Sequence, residues 1–152
     1  MNSTTKTLAF LLTAATVVCS CNGDKESVKA AENEVFAIHD EVMPKVMGDL
    51  VNLKKQLNKR ITSLDSVKAS GSAAAVLRTD EEKAQVIQLN QNLTIADSLM
   101  NHWMAQYNGD TLDKLPSDQA LYYLTTQKDI ITDVKTKVNS SIEQARQFLG
   151  KK

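Results

Sequence analysis

Cysteine, proline and glycine are scarce in this chain: two, two and five among 152 residues. Cys19 and Cys21 stand one residue apart and no other cysteine follows, so neither a disulfide framework nor a zinc-cysteine cluster is available. The shortage of glycine and proline, set against abundant Leu, Ala, Lys, Gln, Asp and Val, favours helices. Strand-like alternation of apolar and polar residues appears nowhere convincingly. Charge is balanced, 18 basic against 18 acidic residues, which removes any electrostatic case for nucleic acid or a polybasic membrane patch. The longest apolar run, Leu8 to Val18, is too short to span a bilayer. Catalytic signatures are missing as well: there is no phosphate loop, H-E-x-x-H, EF-hand loop or G-x-S-x-G. Asn108-Gly109-Asp110-Thr111 lacks the spaced oxygen ligands that calcium needs. His39-Asp40-Glu41 places three polar groups together, but consecutive helix residues point in different directions and no nucleophile in a strained turn accompanies them. The expectation is a protein that is not an enzyme.

What is present begins with an address. Lys6, the apolar run and the small residues after it have the layout of a secretory signal. The run ends in Val18-Cys19-Ser20-Cys21, which resembles a bacterial lipobox. Cys21 fits as the lipidated residue, because Cys19 would follow the bulky Val18. Cleavage after Ser20 removes residues 1–20, leaving 17 basic and 18 acidic residues in a chain long enough for one domain. Several acyl chains on Cys21 would anchor it stably where one would hold only marginally. Residues 21–27 then read as a lipidated polar tether and 28–150 as a single helical-bundle domain. Its expected place is the cell envelope, at the outer membrane, on either face. No cofactor is implied beyond the covalent lipid.

Apolar periodicity predicts three helices. Val35, Ile38, Val42, Val46, Leu50, Leu53, Leu57, Ile61, Leu64 and Val67 recur every three or four residues, giving a first helix from about Ser27 to Lys68. The stretch ASGSAAAVL, residues 69 to 77, interrupts it. Thr79 and Glu82 form a capping box for a second helix, whose seam is Val86, Leu89, Leu93, Ala96, Met100, Trp103 and Tyr107. Asn108-Gly109-Asp110 stops it. A third helix opens at Pro116-Ser117, carries Leu121, Leu124, Ile131, Val134, Val138, Ile142, Ala145 and Leu149, and closes at Gly150. The expected fold is all-α, an antiparallel three-helix bundle with long, coiled-coil-like helices. Helix 1 should kink near Pro44, which lacks an N–H and crowds the carbonyl of Asp40. Turning the chain over residues 68–79 sets Met43 opposite Met104, Met47 opposite Met100 and Pro44 opposite Trp103. The second turn brings Trp103 near Leu121, Tyr122 and Tyr123.

Two functional readings follow. Phe36, His39, Asp40, Met43, Pro44 and Trp103 form a candidate interaction surface, because Ser27 to Ile38 extends past the second helix and offers an apolar face to the 108–116 loop, a second copy or another envelope protein. The alternative is a Cu(I)- or Ag(I)-binding periplasmic module. His39, Met43 and Met47 share one helix face at four-residue spacing, Met100 and Met104 do so on the other, and thioether and imidazole suit a soft cation. His102 points away from Met100. Methionines at helical spacing also serve as flexible core filler.

The segment His39-Asp40-Glu41-Val42-Met43-Pro44-Lys45, with Leu53-Lys54-Lys55-Gln56-Leu57, the Trp103-Met104 pair and Asn139-Ser140-Ser141-Ile142-Glu143, resembles a family of small Bacteroidota lipoproteins often labelled "viral A-type inclusion protein". The resemblance covers nearly all of the mature chain and HDEVMPK is its most specific part. In that family an acidic residue precedes the Trp-Met pair where this sequence has His102, so His102 cannot support a family-wide metal function. The resemblance implies a helical envelope lipoprotein and contributes no catalytic residue.

Overall fold

The computed structural model describes residues 21–150, of which 92% are helical, with no strand among them. The expected signal sequence and the positions of the expected lipobox before Cys21 lie outside the described residues. Helix α1 (Cys21–Lys45) passes into a π turn (Val46–Leu50) and then into α2 (Val51–Ser70) without a break, forming one long helix. α3 (Ala73–Gln106) returns, α4 (Gly109–Leu112) is a single turn, and α5 (Ser117–Phe148) completes a helical bundle. The first long helix changes partner along its length: α1 packs on α5, α2 packs on α3, and α3 also packs on α5.

Pro44 sits inside α1, and the expected disturbance takes the form of the π turn that begins two residues later. Proline removes the hydrogen bond to the Asp40 carbonyl, and π turns are a known way for a helix to absorb such a defect. The wider turn also suits the sequence. Val42, Val46 and Leu50 advance by two successive steps of four, and all three are buried. In an unbroken α-helix that spacing would rotate the stripe around the helix axis.

The core is the predicted stripe, nearly residue for residue. Val35, Leu53, Leu57 and Leu64 join those three from the first helix, Val86 through Trp103 come from α3, and Leu124 through Ala145 from α5. Each fully buried leucine or valine contributes about 1.5–3 kcal/mol. Ion pairs flank the seams. Glu34–Lys128 (2.6 Å), Glu41–Lys135 (2.6 Å) and Asp49–Arg146 (2.9 Å) link the first helix to α5, while Lys68–Asp80 (2.7 Å) and Lys54–Asp97 (3.6 Å) link α2 to α3. The hydrogen bond from Lys135 holds the Glu41 carboxyl below its ordinary pKa, and that to Glu34 raises Lys128. All are surface pairs, worth at most about 1 kcal/mol each. They select which helix faces which; burial supplies the stability.

The boundaries differ from the sequence reading in three places. The turn between α2 and α3 is confined to Gly71 and Ser72, so α3 opens at Ala73 rather than at Thr79. Ala73-Ala74-Ala75 has the highest helix propensity available and extends the helix backward. Thr79 is therefore interior and buried, its hydroxyl donating to the Ala75 carbonyl (2.8 Å) instead of capping. At the other end α1 begins at Cys21, so the segment expected to be a tether is helical. On α5, buried Ala120 takes the place expected of Leu121, which is only half-buried. The close of α5 is as predicted, with Gly150 at φ 66°.

Gly48 lies within the π turn, and a Cβ built there would meet nothing within 4 Å. Gly48→Ala should therefore stabilise the helix by about 0.5–1 kcal/mol, read as a rise in the thermal midpoint; a lowered midpoint would show that the π turn requires glycine.

Candidate functional site

Where α3 ends, its last apolar residues meet α1 and α5 in a knot of rings. Trp103 and Tyr107 are four apart and share a helix face, with ring centroids 5.4 Å apart. From α1, Phe36 meets Tyr107 edge-on at 5.2 Å and His39 lies over Trp103 at 5.5 Å. From α5, Tyr123 approaches Tyr107 at 6.0 Å. Contacts of this geometry add about 0.5–1.5 kcal/mol each beyond the area they bury. Tyr107 is the hub, touching three of the other rings.

Polar groups tie the knot down. The Tyr107 hydroxyl donates to Glu32 (3.3 Å), which also accepts from Lys29 (2.8 Å). Burial first, then the Glu32 carboxylate, pushes the Tyr107 phenol well above its ordinary pKa, so it stays protonated as a donor. The Tyr123 hydroxyl accepts from the backbone N–H of Asn108 (2.9 Å), holding the turn after α3 against α5. His39 Nδ1 lies 2.9 Å from Asp40 Oδ1, which fixes the ring over Trp103. Among the described residues the buried Trp103 indole N–H finds no hydrogen-bond partner, an arrangement that costs about 1–3 kcal/mol.

At the α1 end the register differs from the sequence reading by about one helical turn. Trp103 lies against His39 rather than Pro44, and Tyr107 rather than Trp103 reaches Tyr123. The difference does not arise at the turn, where Lys68–Asp80, Asp65–Lys83 and Asn58–Asn90 keep the expected register; it appears in α1, beyond the π turn. Of the candidate surface, Phe36 is 38% exposed, Asp40 and Pro44 are exposed, His39 and Met43 are half-buried, and Trp103 is buried. The segment from Ser27 to Ile38 does not stand alone. Val28 and Ala31 pack onto the core, Val28 beside Leu115 and the buried Leu112 in the connection between α3 and α5. Glu32, Tyr107 and Tyr123 were not singled out as site residues. The signal for one of them was present: Glu32, Phe36, His39 and Met43 follow one another at steps of four, three and four.

The five soft-metal candidates differ widely in exposure. Met100 is fully buried in the core and Met43 and His39 are half-buried, while Met104 is at the surface and Met47 is 69% exposed. Among the described residues no three or more His, Cys, Asp or Glu side chains are grouped to hold a metal ion, and no helix is long and apolar enough to cross a membrane. Comparison of the chain with protein-family models, with curated proteins and with solved structures returns no match.

With Met47 turned to solvent and Met100 sealed in the core, titration of the reduced protein with Cu(I) should show no binding tighter than micromolar. Tighter binding that is abolished by Met43→Ala would contradict this.

Proposed function

We propose that this is a non-enzymatic, lipid-anchored cell-envelope protein that acts by binding a protein partner through the aromatic surface around Phe36. The observation that carries the reading is the state of Phe36. Its ring is seated on Tyr107, yet 38% of the residue remains exposed. Aromatic groups held rigid by neighbours and open to solvent are the usual anchors of protein interfaces. His39 and Met43 continue the same stripe and are also incompletely covered, and Asp40 and Pro44 border it. The Asp40 carbonyl, deprived by Pro44 of its helical donor, adds an acceptor.

Anchoring at Cys21 and an outer-membrane location rest on the lipobox, and membership of the small lipoprotein family rests on the HDEVMPK segment. The finer fold reading is an antiparallel three-helix bundle with coiled-coil-like seams. It is supported by pairs that run in two senses. Between α1 and α5, Glu34–Lys128, Glu41–Lys135 and Lys45–Asn139 all join residues 94 apart, as parallel neighbours do. Between α2 and α3, partners diverge from the turn, from Lys68–Asp80 through Asp65–Lys83 to Asn58–Asn90, as antiparallel neighbours do. The seam of α3 alternates steps of three and four without a fault from Val86 to Trp103, which fits knobs-into-holes packing.

A photo-crosslinking residue placed at Phe36 in the intact lipidated protein should form a covalent adduct with an envelope protein in living cells, whereas the same probe at exposed Leu77 should not. Equal labelling at both positions, or none at position 36, would refute a partner site there.

A further inference from the structure

We infer that the end of the bundle formed by the start of α1, α4 and the turn before α5 is a membrane-contact face that seats the protein end-on in the headgroup layer of a zwitterionic phospholipid surface. The inference rests on the proposed lipidation of Cys21 and adds what the fold does with that anchor.

The anchor is joined stiffly. α1 is helical from Cys21 through Lys45, so no extended segment separates the attachment point from the bundle. It is also level with the bundle's end. The constant separation of 94 residues between α1 and α5 partners places Cys21 beside residue 115, just before α5 opens. A recess of about 360 Å³ there is lined by Lys25, Val28 and Lys29 from α1 and by Leu112, Asp113 and Leu115 from the α4 turn, and Asp113 raises the Lys29 pKa further, after Glu32. A cysteine held at the glycerol level by its acyl chains draws everything level with it into the headgroup region, which is roughly 5–7 Å deep on each face.

The chemistry of this face suits that layer. Lys25, Lys29 and Lys114 stand among Asp24, Glu26, Asp113 and Asp118, both signs interspersed with an acidic excess, matching headgroups that carry a phosphate and an ammonium together; a uniformly anionic surface would be repelled. The floor of the recess, Val28, Leu112 and Leu115, is apolar. Tyr122 is 77% exposed and, by the same separation, level with Val28, about 10 Å above Cys21 and just outside the layer. Phe36 then stands about 22 Å above the anchor, from the helical rise, clear of the lipid and available to a protein.

Apart from Cys21 the mature chain has no cysteine, so single spin labels can be introduced at Lys114→Cys, Tyr122→Cys and, at the far end, Leu77→Cys. The lipidated protein is reconstituted in vesicles of phosphatidylethanolamine and phosphatidylcholine, and collision of each label with a water-soluble nickel chelate is measured. Access at 114 should fall severalfold relative to 77, with 122 intermediate, and a Gly-Ser insertion after Gly23 should restore access at 114. Equal access at 114 and 77 in protein that floats with the vesicles overturns the seating and leaves the anchor intact, as does protection at 114 that survives the insertion. Protein that fails to float, or that floats equally well as Cys21→Ser, overturns the anchor and the seating with it.

Discussion

The structure depends on carrying one helix past a proline. Pro44 cannot donate to the Asp40 carbonyl and its ring crowds the preceding turn, a cost of about 3 kcal/mol in a helix interior. The chain meets that cost without ending the helix. The π turn at Val46–Leu50 follows at once, and the apolar stripe continues through it with Val46 and Leu50 buried. This is also where the helix exchanges partners, facing α5 before the turn and α3 after it. A single straight stripe could not serve both neighbours equally well. The defect and the handover occupy the same few residues, which gives the proline a structural reason to be there.

The rest of the molecule follows from that continuity. α5 keeps company with the first helix only as far as the level of Lys54, since Phe148 lies 94 residues beyond it, the separation that the α1–α5 pairs share. Farther along, α2 and α3 continue as a pair, with Leu57, Leu64, Thr79 and Val86 closing the seam between them. At the opposite end α3 stops at Gln106 while α1 and α5 run on. The gap left by α3 is filled by the rings of Trp103 and Tyr107 and by the α4 turn, with Leu112 as its buried plug. The aromatic knot is thus the closure of the bundle where one helix ends early, and Phe36 is the ring that the closure leaves partly uncovered. A scaffold requirement and a proposed interaction surface share the same residues.

Much of this was legible in the periodicity. A residue repeated every three or four positions has one place to go, and the seam from Val86 to Trp103 is buried as the spacing requires. Boundaries were harder, because local signals compete. Thr79 and Glu82 have the form of a capping box, but three alanines just ahead of them extend the helix, and the threonine bonds inward instead. Asn22 to Ser27 is polar enough for a tether, yet Val28 packs beside Leu112 and Leu115 and the helix extends back through the polar residues. The site was visible as a place and not as a set of contacts. The register held beside the turn, where Asp65 meets Lys83, and slipped only beyond the π turn, where Trp103 meets His39. Tyr107, which organises the knot, looked in sequence like the last member of a stripe. Methionines that share a face in a helical projection separate into core and solvent, Met100 fully buried and Met47 and Met104 exposed.

The central claim, that one helix runs unbroken through Pro44 from Cys21 to the Gly71 turn, fixes the shape of the molecule. Cys21 to Ser70 spans 50 residues, about 75 Å at 1.5 Å per residue. Small-angle X-ray scattering from the chain beginning at Asn22 reads that length directly. A rod of this length has a radius of gyration of about 22 Å, and the account predicts a value near it with a maximum dimension close to the helix length. A radius of about 14 Å, expected of a compact domain of this size, would mean that the helix breaks at Pro44 and folds back on itself, and would contradict the account.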